Sequence, residues 1–270
     1  MIDDAAVFPP GNAPLPDALT GHAEHRAAWY SELVGPLLLP VSVLGELPGP
    51  PPPRLGVIGD TGLAGLPAAV AAANGRWSQL EIPVAKRGED PQPGLRQLFG
   101  AAAELATRID IYVELPLTWG LIGALDTVAA ERAAGARVAP KFRTGGLAAE
   151  LFPTPVELAA VICACRDRDL PYKLTAGLHH ALRHTDPETG FTHHGFLNVL
   201  AADLAAADGV EVAEVAELLA STDPRPVLAT IEGRLAESRP RWVGYGSCRI
   251  DEPLADLISL GLLPRAGSES

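Results

Sequence analysis

The chain has 270 residues and a mass of 28.2 kDa, with 47% hydrophobic residues, only 20% charged residues and a mean hydropathy of +0.15. That is apolar material for a sizeable core and excludes a wholly disordered chain. The net charge of −12 excludes a nucleic-acid surface, which needs a basic stripe, and a polybasic membrane surface. Cys163, Cys165 and Cys248 are an odd set without metal-type spacing, so no disulfide framework is implied. The first residues carry neither a basic nor an apolar leader pattern. The apolar run Val34 to Leu44 is too short to span a membrane and is broken by Pro36 and Pro40. A reducing cytoplasm is the expected location.

In chain order, residues 17–34 read as an amphipathic helix with Asp17 as its N-cap. Val41–Leu44 reads as a short strand, Pro48 to Pro53 as a stiff loop and Leu55–Gly59 as a second strand. Ala64–Ala73 is an Ala-rich helix and Gln79–Val84 a third strand. Gly94–Arg108 is a helix, Ile109–Leu115 a strand, Leu121–Ala134 a helix closed by Gly135, and Arg137–Phe142 a strand. Pro155–Arg168 is a helix and Tyr172–Thr175 a strand. Helices follow around 195–207, 210–220 and 224–237, then a strand at Trp242–Cys248 and a helix at Pro253–Leu260.

Buried strands alternating with helices make parallel βα units. Glu81, Glu114, Lys141 and Lys173 follow one another at steps of 33, 27 and 32 residues, about one unit each. No G-x-G-x-x-G follows the early strands, so the reading is a (β/α)8 barrel (a TIM barrel) rather than an open doubly wound sheet. Two features strain a regular barrel. Ten residues between Leu44 and Leu55 are few for a helical crossover, and with seven clear strands the stretch 177–241 must hide another. An incomplete or decorated barrel is the alternative. The chain reads as one domain, 1–270, with residues 1–38 as a helical extension packed on it. Leu80–Val84 echoes Val113–Leu117, and Lys141–Gly146 echoes Lys173–Gly177, as if neighbouring strands presented these residues at equal depth.

Barrel chemistry sits at the carboxyl ends of strands. Those ends offer Asp60, Glu81, Glu114, Lys141 with Arg143, and Lys173. Only three lysines, Lys86, Lys141 and Lys173, stand among 21 basic residues, and lysine can lose its proton and attack a carbonyl where arginine cannot. Acids and lysines at strand ends must pair or shift their pKa values. Arg143-Thr144-Gly145-Gly146 suits an anion, with a planar guanidinium and a close backbone. Five of the seven histidines fall between His179 and His194. His180 and His184 have helical spacing, and Asp186–Gly190 is a turn within a polar lid. His179 and His180 are expected near substrate, and Asn198 and Ser247 are further candidates. The histidines with Glu81 or Glu114 also suggest a metal-dependent hydrolase or lyase, and a non-catalytic ligand-binding barrel is a third reading. Cys163 and Cys165 read as inert buried thiols, and Asp3 and Asp4 as solvated terminal acids, with added ligands to the site as their alternative.

Lys-x-x-Thr-Gly-Gly at Lys141, then Lys-x-x-Ala-Gly at Lys173, resembles the lysine pair of class I deoxyribose-phosphate-type aldolases. Phe142-Arg143 replaces small polar residues of that family, and Leu178-His179-His180 is an addition. The resemblance implies a barrel lyase in which one strand lysine forms a Schiff base and the next strand's lysine perturbs it. Lys173, counted on the sixth strand, is then the Schiff-base residue and Lys141 its neighbour, with Glu114 or Glu81 moving protons. Crowding of cations should lower the lysine pKa. No cofactor is implied. The expected partner is a small anionic carbonyl compound, and a homo-oligomer is left open.

Overall fold

The computed structural model describes residues 2–49, 52, 54–67, 77–235 and 239–264. Eight parallel strands close into a barrel: β1 (Ile2–Asp4), β2 (Val34–Pro40), β3 (Leu55–Ile58), β4 (Trp77–Pro83), β5 (Asp110–Glu114), β6 (Val138–Arg143), β7 (Tyr172–Thr175) and, after a small hairpin, β10 (Trp242–Ser247), which pairs with β1. The hairpin is β8 (His184–Thr185) and β9 (Thr192–His193). The helices are α1 (Leu15–Ala27), α2 (Pro91–Ala102), α3 (Leu121–Ala133), α4 (Pro155–Arg166), α5 (Phe196–Ala207), α6 (Val212–Ala220), α7 (Pro224–Ile231) and α8 (Asp251–Ser259). The chain therefore has the TIM-barrel architecture, with helices surrounding a closed parallel sheet.

Helix starts follow local chemistry. Asp90 accepts the amide of Gln92 ahead of α2. Thr154 and Glu157 form a reciprocal capping box ahead of α4, and Asp223 accepts the amide of Arg225 at α7. Strand alternation sorts the rest. Leu37, Leu39, Val57, Leu80, Ile82, Ile111, Val113, Phe142 and Leu174 join buried residues of the helices, such as Leu95, Val128 and Ile162, in one apolar core. The alternate positions of four strands bring Asp3, Gln79, Glu81, Lys141 and Lys173 into mutual contact inside the barrel. Gly56 on β3 leaves them room: a Cβ there would meet Leu38 at 2.5 Å and the Gln79 amide at 2.9 Å.

Several expectations are corrected. The expected helical extension over 1–38 is not one: residues 2–38 supply β1, α1 and most of β2. Val41–Leu44 belongs to a 3₁₀ segment, Val41–Glu46, and the strand is the apolar run just before it. Pro36 and Pro40 are tolerated in β2, which pairs with β1 on one side and β3 on the other. The short 3₁₀ segment begins the β2–β3 crossover, so no long helix is needed before β3. The described residues of the stretch 177–241 include no barrel strand; they hold the hairpin and α5 to α7, and the missing strand is Ile2–Asp4. Of the helix expected over 64–73, residues 68–73 lie outside the described residues, as do 236 and 237 of the helix expected at 224–237. The two lysines are register partners, but Glu114 pairs with Pro83 and Glu81 with Tyr112, so the two glutamates are offset by two residues. Among the described residues no helix is long and apolar enough to cross a membrane.

Candidate active site

Four buried charged side chains meet across the barrel. The Lys173 ammonium contacts Asp3 and lies 2.5 Å from Glu81 Oε1, while Lys141 Nζ is 2.7 Å from Glu81 Oε2 and 2.9 Å from Glu114 Oε2. Gln79 Nε2 donates to Asp3 and to Glu81 Oε1, both at 2.9 Å, which fixes the two carboxylates around Lys173. The Tyr112 ring lies 4.8 Å from the same ammonium. Asp3, Glu81, Lys141 and Lys173 are each 3% exposed or less. Arg143 Nε extends the chain of charges to Glu114 at 3.3 Å. Three carboxylates and three cations thus alternate, so each buried charge has an opposite neighbour.

The lysines are not the depressed amines expected from crowded cations. Burial alone would lower the pKa of Lys173, but the Asp3 and Glu81 carboxylates outweigh it and raise the value. Lys141 is raised in the same way by Glu114 and Glu81. Glu81 shows the converse: burial pushes its carboxyl up, the two ammonium groups outweigh that, and its pKa falls to about 2. Glu114 is also lowered, against burial, by Lys141 and Arg143.

A cavity of about 870 Å³ opens at the carboxyl ends of the strands. Glu114, Lys141, Arg143, His179 and His193 line it; Lys173, Glu81 and Asp3 lie beneath. The barrel also corrects the strand count. Lys141 stands on the sixth barrel strand in chain order and Lys173 on the seventh, because β1 precedes every strand counted from the sequence. Asp3 and Asp4 are not solvated terminal acids. Both are buried, Asp3 against Lys173 and Asp4 against His22 at 3.1 Å. The sequence signal for them is weak, since two acids near a chain start resemble solvated residues.

Other expected ligand residues serve the scaffold. Asp60 accepts from the backbone and hydroxyl of Ser42 and does not line the cavity. Thr144 is fully buried and its hydroxyl donates to the Ala176 carbonyl at 2.5 Å. Asn198 ties loops together, accepting from Arg183 N and donating to the carbonyls of Leu218 and Ser221. The Ser247 hydroxyl donates to Arg249 O. Gly145 serves a close approach of strand-end loops: a Cβ there would meet Gly177 Cα at 3.0 Å. Gly146 lines the cavity.

The histidines surround the mouth without sharing one focus. His179 Nδ1 is 3.0 Å from Glu252 Oε2, and His180 Nδ1 is 3.2 Å from Asp256 Oδ2. His180 and His184 do not share a helix; their rings meet edge to face at 4.6 Å, and His184 stacks on His193 across the hairpin. His194 is buried away from the mouth, its Nε2 2.8 Å from Pro153 O; burial lowers its pKa to about 4. Among the described residues no three His, Cys, Asp or Glu side chains are grouped to hold a metal ion, so the donor set of the metal-dependent reading is not assembled. Cys163 and Cys165 are buried in α4, while Cys248 lies at the cavity edge. No family model, no curated protein and no solved structure matches the chain.

Proposed function

We propose that the barrel mouth is the active site of a lyase-type enzyme, an aldolase or dehydratase, that binds a small anionic carbonyl compound through a lysine Schiff base. The observation that carries this reading is that one lysine of the charged chain, Lys141, reaches the cavity while its neighbour Lys173 lies beneath. We assign the nucleophile to Lys141 rather than to Lys173. The sixth-strand position that the aldolase resemblance points to is the position of Lys141 once all eight strands are counted.

The chemistry follows from the ion pairs. Arg143, 43% exposed at its side chain, presents a guanidinium to the anionic group of the substrate. Filling the cavity removes water, and a drier site favours a neutral Lys141–Glu114 pair over the ionic one. Lys141 Nζ then gives a proton to Glu114 across 2.9 Å and its lone pair attacks the carbonyl carbon. The alkoxide formed takes one proton from the attacking nitrogen to give the carbinolamine; its hydroxyl then takes back the proton held by Glu114 and leaves as water, giving the iminium. Lys173 remains protonated between Asp3 and Glu81 and supplies fixed positive charge below the reacting nitrogen.

Borohydride trapping with pyruvate and glycolaldehyde phosphate, read by intact mass and peptide mapping, tests the reading. The expected result is a reduced adduct on Lys141 that disappears in Lys141→Arg. An adduct mapping to Lys173 reverses the assignment, and no adduct with either probe, together with turnover retained in Lys141→Arg, overturns the function. Arg143→Ala should leave the adduct site unchanged but weaken capture of the anionic probes by about tenfold or more, since it removes a charge-assisted contact.

A further inference from the structure

A Schiff-base reaction needs a base that removes a proton from the carbon next to the iminium. The strand-end carboxylates are poor candidates. Glu81 is sealed between two ammonium groups, and Glu114, the proton acceptor of Lys141, stays held by Arg143 and beside the iminium nitrogen. The cavity wall offers another group. His179 follows β7, and Glu252 lies in the first turn of α8, directly after β10; β7 and β10 are neighbours in the sheet, which brings the two loops together. Glu252 Oε2 is 3.0 Å from His179 Nδ1, and both residues line the cavity that Lys141 enters.

We infer that His179 is the catalytic base of this site, with Glu252 as its positioning residue, and that the pair exchanges the hydrogens next to the carbonyl of the bound substrate. The inference rests on the Schiff-base reading above. A carboxylate accepts and does not donate, so Nδ1 carries the proton and Nε2 keeps its lone pair. Nε2 makes no hydrogen bond to any described residue. In the step, Nε2 takes the proton from the α-carbon. The C–H electron pair becomes the C=C bond of the enamine, and the iminium π pair moves onto the nitrogen. The imidazolium formed is held by Glu252. Reversal with a solvent-derived deuteron completes the exchange.

The surroundings keep the ring neutral before the step. Burial lowers the His179 pKa, the Glu252 carboxylate opposes this, and His180 and His184 lower it further. Cys248 Sγ lies 4.0 Å from Nδ1, and Arg249 approaches Glu252 at 3.5 Å and tempers its charge. His193 lines the same cavity, but its Nδ1 pairs with the Gly177 carbonyl, which cannot stabilise an imidazolium as a carboxylate does.

Deuterium uptake at the methyl carbon of pyruvate, the carbon next to its ketone, followed by NMR in deuterated water, is measured beside borohydride trapping in wild type, His179→Gln, Glu252→Gln and His193→Gln. Trapping in His179→Gln at a level near wild type, with exchange about 100-fold slower, supports the inference; general-base losses are of that order. Glu252→Gln should slow exchange about tenfold and move its acid limb to lower pH, because the carboxylate that raises the imidazole pKa is gone. Unchanged exchange in a His179→Gln protein that still forms the adduct overturns the inference and leaves the Schiff base standing. Loss of exchange in His193→Gln, and not in His179→Gln, overturns it equally. Failure of wild type to form any adduct overturns both.

Discussion

Glu81 carries the charge balance of the barrel interior, with one carboxylate oxygen for each lysine. Its pKa falls from the usual 4.5 to about 2 on folding. A lowered carboxyl contributes stability that is present above the unfolded pKa and disappears as pH falls through the folded one. The shift corresponds to about 3 kcal/mol, lost between about pH 4.5 and pH 2. Urea unfolding at several pH values should therefore show a steeper acid loss for wild type than for Glu81→Gln; parallel slopes would contradict the ion-pair account. At neutral pH the same substitution leaves two buried ammonium groups short of counter-charge and should cost about 3–5 kcal/mol. Glu81, Lys141 and Lys173 were legible in the sequence because each interrupts an apolar strand, where a charge must have a partner. Asp3 was not, since it stands beside a second acid in a strand of only three residues, which shows no period. Thr144 and Asn198 misled for a related reason: a buried polar side chain satisfies backbone carbonyls as readily as it meets a ligand.

Among the elements, α2 holds a paired test of packing. Gly94 and Gly100 both lie within this helix, where replacing glycine by alanine ordinarily gains about 1 kcal/mol. A Cβ on Gly100 meets nothing within 4 Å, so Gly100→Ala should stabilise by about that amount. A Cβ on Gly94 would lie 1.9 Å from the backbone carbonyl of Val84, just beyond β4. Gly94→Ala must push α2 off the strand and should lower the melting temperature, while Gly100→Ala raises it. Equal effects at both positions would show that the contact between α2 and the end of β4 is loose. The middle of the sheet was legible because each strand there is followed by a helix of ordinary length. The first two strands were not. β1 has three residues, too few to show a period, and the unbroken apolar run of β2 with two prolines hides the alternation that marks a strand.

At the scale of the whole molecule, a net charge of −12 surrounds a mouth lined by Arg143. On the proposed function, the far field repels the anion that the near field would bind. Raising ionic strength from about 0.01 M to about 0.15 M shortens the Debye length from about 30 Å to about 8 Å, which screens the molecule's overall repulsion more than contacts inside the cavity. Stopped-flow association of an anionic carbonyl ligand should therefore become faster with salt. A slower rate would mean that local positive potential reaches well beyond the mouth and steers the ligand inward.

Lys173 takes its counter-charges from Glu81 and from Asp3, and the second partner lies 170 positions earlier in the chain. During synthesis Asp3 leaves the ribosome long before Lys173, and β1 waits for β10, the last barrel strand to emerge, before its open edge is covered. A nascent barrel that collapsed without β1 would trap an ammonium group with half of its neutralising charge. Such a collapse is penalised by electrostatics until β1 and β10 pair, so the buried ion pairs also act as a checkpoint on closure.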